Sequence, residues 1–291
     1  MGRFRGAKKH KMNFAQKLVI GYYRTKLTIW SKLSKRKAAE KAFELFCTPV
    51  PCLKSKIPKV FEQGEKLHLK MDDAELVGYR WNHPQTKKVL ILHGFSSTIK
   101  KYDHFVTPLV KKGYEVIAFD AAAHGESSGK KIDVIVYKKT IAAIYEKFGP
   151  IHSFIAHSFG GLALSLFAEE LKYTDHKKIV LIAPATETST AIENFCAFLK
   201  IDEEVKNEMR KLIHEKSGLW AEDISIRKSA YKIKADVLWI HDEEDDVTPW
   251  ADAEKVQQDA HLNFQFLLTK GLGHRKIYRD HKVKKAVMEF L

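Results

Sequence analysis

Phe154-Ile-Ala-His-Ser-Phe-Gly-Gly161 is the stretch on which the reading of this chain turns. An apolar run ends at Ser158, two glycines follow, and Leu162-Ala-Leu-Ser-Leu-Phe167 then reads as a helix. A strand that passes into a helix across a single residue brings the two backbones almost into contact. Small side chains are therefore needed two positions before and two after the turning residue. Gly160 meets that need, and Ala156 stands where such turns usually carry Gly, a departure of one methyl group. The turn forces the serine into a strained conformation and lifts its hydroxyl above the sheet. It also sets the serine at a helix N-terminus, where backbone N–H groups favour a developing oxyanion. Ser158 is the candidate nucleophile.

Outward from this turn the chain alternates short apolar runs with amphipathic stretches. Val89–Leu92, Val116–Phe119, Phe154–Ala156, Ile179–Ile182 and Val237–Ile240 are continuous apolar runs, as strands buried on both faces are. Phe264–Leu268 is a further candidate, and Leu67–Lys70 with Val77–Trp81 reads as an opening hairpin around Asp72-Asp73. Strands alternating with helices predict a mostly parallel, doubly wound sheet with its chemistry at the carboxyl ends of the strands. Residues 187–232 are too long for a simple crossover. They hold a helix near 189–200 and another near 203–216, with Asp202 as an N-cap, and read as a small helical cap inserted before the next strand.

A serine nucleophile needs a base, an acid and oxyanion donors. Leu90-Ile-Leu-His-Gly-Phe95 is a strand ending in His-Gly. The loop after such a strand and the residue after the nucleophile supply the two oxyanion donors, which assigns them to the backbone N–H groups of Phe95 and Phe159. Gly271-Leu-Gly-His274, near the C-terminus, lets His274 project as the base. His93 and His124 precede the nucleophile, and His157, beside it, is expected to point to the other side of the turn. The acid belongs to the end of a later strand. There Asp242, Glu243, Glu244, Asp245 and Asp246 crowd together, and spacing alone does not choose among them. Phe119-Asp-Ala-Ala-Ala-His-Gly125 reads as a structured loop with no chemistry of its own, and the Gly-rich run that follows it fails as a phosphate loop.

With these segments in this order, residues from about 60 to 291 resemble the α/β-hydrolases. The pattern is closest to the monoacylglycerol-lipase and serine-aminopeptidase-like branch. The resemblance implies an α/β-hydrolase fold and a Ser-His-Asp acyl-enzyme mechanism. It selects Asp245 as the acid, because that residue lies four positions after His241 and four before Pro249, as in the family's His-Gly-x-x-Asp-x-x-x-Pro segment. Asp242 stands in place of the Gly of that segment, and Ala123 in place of the first Gly of the family's Asp-x-x-Gly-His-Gly segment. The implied activity is hydrolysis of a carboxylic ester with an apolar acyl group; a thioester or a peptide N-terminus is the alternative within the class, and a binding protein without catalysis the alternative outside it. Phe195, Phe198, Leu199, Ile213 and Trp220 are candidates to line an acyl pocket, or else form the packing face of the cap helices. No metal or cofactor is implied.

Composition separates the chain into two parts. Residues 1–59 hold 16 Lys and Arg against two acids, while the remainder holds 34 of each, so the whole net charge of +14 belongs to the N-terminal segment. This division gives a basic helical extension and linker over 1–59 and a hydrolase core over 60–291, with the cap at 187–232. Apolar residues recur at helical steps through 13–47 between lysines and arginines. Such a segment suits peripheral contact with an anionic membrane surface through residues 1–47, or simple docking on the body. It carries no recognised nucleic-acid motif. Leu18–Tyr23, its best apolar run, is shorter than the roughly 7–15 residues of a signal-peptide core. Three cysteines without a C-x-x-C pair suit a reducing compartment. The expectation is a cytoplasmic protein touching a membrane at most peripherally.

Overall fold

Apolar runs of three to five residues fall where the strands of the computed structural model lie, which describes residues 14–51, 56–71, 74–173 and 175–291. The strands are β1 (Glu65–Met71), β2 (Ala74–Trp81), β3 (Lys88–Leu92), β4 (Glu115–Phe119), β5 (Ser153–His157), β6 (Lys178–Ile182), β7 (Asp236–Asp242) and β8 (Phe264–Thr269). Among the described residues they form one eight-stranded sheet in the order β1-β2-β4-β3-β5-β6-β7-β8. β2 runs antiparallel to both β1 and β4, and every pair from β4 to β8 is parallel. The hairpin, the strand set and the mostly parallel order agree with the expectations from sequence; Asp72 and Asp73, around which the hairpin is expected to turn, lie outside the described residues.

The reason for continuous apolar runs is visible in burial. All five residues of β4 and all five of β5 are buried, because helices cover the sheet on both faces. Each fully buried Ile, Val or Leu there contributes about 1.5–3 kcal/mol of transfer free energy. Strand order reverses around β3, with β4 on one side and β5 on the other. Loops leaving the carboxyl ends of β3 and β5 therefore face each other across such a switch point, where open parallel sheets place their ligands.

The described residues group into two compact units. Cys47–Glu187 and Ser225–Leu291 form the sheet unit. The other joins the N-terminal helices α1 (Phe14–Leu33) and α2 (Lys35–Phe46) to Thr188–Ile224. Thr188–Ile224 holds helices Thr188–Leu199 and Glu203–Ser217, the second capped by Asp202, whose side chain accepts from the N–H of Val205 at 2.9 Å. α2 turns Ala38, Ala39 and Ala42 inward, and small side chains allow close approach to helix Glu203–Ser217. Arg36 pairs with Glu215, Lys35 reaches Asp202 and Glu204, and Phe46 meets Phe195 edge-on at 5.1 Å. The basic N-terminal helices thus have a specific protein partner in the inserted segment. Within the sheet unit, the insertion leaves and returns at an antiparallel bridge between Glu187 and Ser225.

Candidate active site

Ser158 sits between β5 and the helix Phe159–Ala168 with φ 54° and ψ −123°. A non-glycine residue in that region costs about 1–3 kcal/mol, and surrounding contacts must hold it there. Its N–H donates to the carbonyl of Ile182 at 3.1 Å, and its own carbonyl accepts from Gly161 at 2.9 Å and Ala185 at 3.1 Å. The close approach foreseen at Gly160 is present: a Cβ there would stand 2.6 Å from the carbonyl oxygen of His93. Ala156 is fully buried between Leu92 and Leu181, so its methyl is accommodated.

Three side chains from three loops meet at this turn. The Ser158 hydroxyl donates to Nε2 of His274 at 3.0 Å, and Nδ1–H of His274 donates to Oδ2 of Asp245 at 2.9 Å. All three are buried. Burial would push the Asp245 carboxyl upward, but His274 and the N–H groups of Thr248 and Val247 hold it below the usual carboxylate range. Its Oδ1 accepts those two N–H groups at 2.8 Å each. Among the five carboxylates at the end of β7, Asp245 is the one that contacts His274.

Further residues hold this arrangement. Thr248 donates its hydroxyl to Oδ2 of Asp245 at 2.9 Å and lies 3.1 Å from Nδ1 of His274. His241 donates from Nε2 to the Thr248 carbonyl at 2.8 Å and accepts from the Trp239 indole at 3.2 Å. Burial lowers its pKa, which keeps it a neutral strut. Asp242 is fully buried. Its Oδ1 accepts from Glu244 N–H at 3.1 Å, and Oδ2 accepts from the Thr269 hydroxyl at 2.7 Å and Leu272 N–H at 3.0 Å. It therefore ties the turn carrying Asp245 to the loop carrying His274. Burial alone would raise its pKa; the Thr269 hydroxyl and the backbone N–H groups outweigh it and lower the value. His157 does not reach the serine hydroxyl. Its Nε2 donates to the carbonyl of His274 at 3.1 Å, and burial pushes its pKa down to about 3.

Phe159 opens its helix, so its N–H has no carbonyl within the helix to bond. Phe95 follows Gly94, and a Cβ on Gly94 would lie 2.9 Å from Cβ of Ser158. The backbone before Phe95 thus passes directly beside the serine. The Phe95 and Phe159 rings meet edge-on at 5.5 Å. The segment after β4, a structured loop by sequence, braces this loop. Nε2 of His124 accepts from Ser96 N–H at 2.9 Å, Nε2 of His93 accepts from Ala121 N–H at 2.9 Å, and Asp120 accepts from Ile99 N–H at 2.9 Å. Ala123, in the place of a family glycine, takes φ 63°.

Phe195, Phe198, Leu199, Ile213 and Trp220 belong to the other compact unit. Leu199 and Ile213 are buried there, Phe195 rests on Phe46, and Phe198 and Trp220 are exposed, the Trp220 ring stacked on His214 at 4.2 Å. Among the described residues no three His, Cys, Asp or Glu side chains converge as a metal group would.

Comparison with known proteins agrees with this architecture. Residues 83–216, just under half of the chain, match the family described as serine aminopeptidase, S33. A candidate esterase/lipase of Mycoplasma pneumoniae is 25% identical over 114 residues, 38% of this chain and 42% of that protein. The chain therefore matches less than half the length of that curated relative. Among solved structures, an esterase of Pyrococcus furiosus superimposes with a TM-score of 0.63 at 21% identity, covering 84% of this chain and 97% of the other. Mouse alpha/beta hydrolase domain-containing protein 10 gives 0.59 at 16%, covering 77% and 95%. At these identities the structural likeness is one of fold. The chain has the fold of the α/β-hydrolase superfamily. Over residues 83–216 it is similar to the serine aminopeptidase, S33, family.

Proposed function

We propose that the protein is a serine hydrolase that cleaves a carboxylic ester with an apolar acyl group, with Ser158 as nucleophile, His274 as base and Asp245 as orienting acid. The observation that carries this reading is the buried chain of hydrogen bonds from Ser158 Oγ through His274 to Asp245, at 3.0 and 2.9 Å. In this reading the Ser158 oxygen attacks the ester carbonyl while His274 Nε2 takes its proton. The N–H groups of Phe95 and Phe159 stabilise the resulting oxyanion, a contribution of about 3–4 kcal/mol for one such donor. His274 returns the proton to the leaving alkoxide, and an acyl-Ser158 ester remains. Water then gives a proton to His274, attacks the acyl carbonyl, and releases the acid as Ser158 is reprotonated. Asp245 keeps the Nδ1–H tautomer and stabilises the imidazolium. The apolar acyl group is what the resemblance implies; Phe95 and Phe159, the two residues whose N–H groups would meet the oxyanion, contribute rings that meet edge-on at 5.5 Å.

The test is hydrolysis of a chain-length series of chromogenic acyl esters by the wild type and by Ser158→Ala. Activity that vanishes with the hydroxyl supports the reading, and the preferred chain length sizes the acyl site. Cleavage of aminoacyl arylamides in preference to esters would move the substrate to a peptide N-terminus, the reaction in the family's description. A folded wild type that is inert toward esters, thioesters and aminoacyl substrates would remove the catalytic reading.

A further inference from the structure

α1 is docked along one face. Leu27 is buried there, Ile20 and Tyr23 are half-buried, Arg24 donates to the Phe198 carbonyl at 2.6 Å, and Ser31 donates to Asp202. These partners all lie in the same compact unit as α1. The opposite face carries a second apolar row. Phe14, Leu18 and Tyr22 follow at four-residue steps, Ile29 comes seven residues later, and Leu33 four beyond it. At 3.6 residues per turn these five side chains share one side of the helix. All five are exposed, from 54% at Ile29 to 76% at Phe14. Lys17, Lys26 and Lys32, also exposed, lie along and beside the row. The Lys26 ammonium stands 5.4 Å over the Tyr22 ring, 3.2 Å from its hydroxyl, so the charge sits at the edge of apolar surface.

A helix of 20 residues with apolar surface on both sides would ordinarily be covered on both. Charge says what covers the outer side. The entire +14 of the chain lies in residues 1–59, and the remainder is neutral. A second copy docking through the same face would bring two such segments together, like charge against like. An anionic surface complements both the lysines and the apolar row. No helix among the described residues is long and apolar enough to cross a bilayer, so the fit is to a helix lying in its plane. We propose that the outer face of α1 docks on an anionic lipid bilayer, with Phe14, Leu18, Tyr22, Ile29 and Leu33 entering the headgroup boundary and the lysines meeting the lipid phosphates. This inference is independent of any activity at Ser158. Since α1 packs in one compact unit with the helices of Thr188–Ile224, docking would hold that inserted segment at the lipid surface.

Flotation of the full chain with vesicles tests it. One vesicle is phosphatidylcholine alone, the other equal parts phosphatidylcholine and phosphatidylserine. The wild type is expected to float with the anionic vesicles, to be released by high salt, and to ignore the neutral ones. The variant Leu18→Glu/Leu33→Glu, with wild-type circular dichroism and melting temperature, is expected to bind more weakly by about tenfold or more. Replacing Lys17, Lys26 and Lys32 by Glu is expected to do the same through charge. Absence of binding to anionic vesicles would overturn the proposal, as would binding that the Leu18→Glu/Leu33→Glu variant leaves unchanged. A wild-type dimer seen by light scattering, lost in that variant and indifferent to vesicles, would assign the face to a second copy instead. Salt-dependent binding to duplex DNA without vesicle binding would also overturn it.

Discussion

Asp242 carries a buried carboxylate whose three hydrogen-bond donors lie in the turn of Asp245 and around the loop of His274. In the proposed reaction it is a positioning residue. Asp242→Ala leaves buried donors unpaired, each costing about 1–3 kcal/mol. We expect kcat to fall by about tenfold or more with KM little changed, and Asp242→Asn to restore much of it. A lower melting temperature with unchanged kcat would reduce Asp242 to a structural role. His157 gives a pH signature. Its folded pKa of about 3 lies below the value of roughly 6.5 for an unperturbed histidine. Between these values the unfolded chain binds a proton that the folded chain refuses, so stability falls as pH falls through that window, by up to about 1.4 kcal/mol per pH unit for each such proton. His124, pushed down by burial to about 4, adds to the same slope. His157→Gln keeps a donor near the His274 carbonyl and removes the titration. Urea midpoints measured from pH 7 to pH 4 should therefore fall less steeply in the variant; parallel slopes would contradict the assignment. Neither role is legible in sequence. Both depend chiefly on partners more than 20 residues away, Thr269 and Leu272 for Asp242 and His274 for His157, and linear spacing is silent about them.

At the scale of elements, legibility follows burial. β3 to β7 lie inside the sheet and are covered on both faces, so their apolar runs stand out whatever surrounds them. The turn at Ser158 is legible for a steric reason, since the contact between Gly160 and the strand beside it admits no larger residue. Gly160→Ala sets a Cβ 2.6 Å from a backbone oxygen that cannot rotate away. Overpacking of this kind costs about 1–3 kcal/mol, and we expect a lower melting temperature with activity lost in proportion to displacement of the serine. A wild-type melting curve for that variant would mean the helix and strand are less closely joined than the structure has them. The bracing segment after β4 reads in sequence only as a structured loop because its chemistry is internal: Asp120 and His124 accept from the backbone N–H groups of Ile99 and Ser96, and Ala121 N–H donates to His93. The same applies to the acid. Five carboxylates at the end of β7 look alike in sequence, and resemblance rather than spacing points to Asp245, the one that meets His274.

At the scale of the molecule, charge and packing divide the chain differently. By charge, residues 1–59 stand apart from a neutral remainder. By packing, α1 and α2 join Thr188–Ile224, an insertion more than 130 residues downstream. Sequence periodicity shows that α1 has apolar positions; it does not say which of them meet a partner, because both faces of that helix carry apolar residues. In the sheet unit a strained serine is hydrogen-bonded to a histidine that an acid holds. The most direct measurement is the intact mass of the full chain after treatment with a fluorophosphonate, which esterifies an activated serine, followed by peptide mapping. One adduct is expected, on Ser158, absent in Ser158→Ala and formed far more slowly in His274→Ala. A folded wild type that takes up no label, or takes it up elsewhere than Ser158, would contradict it.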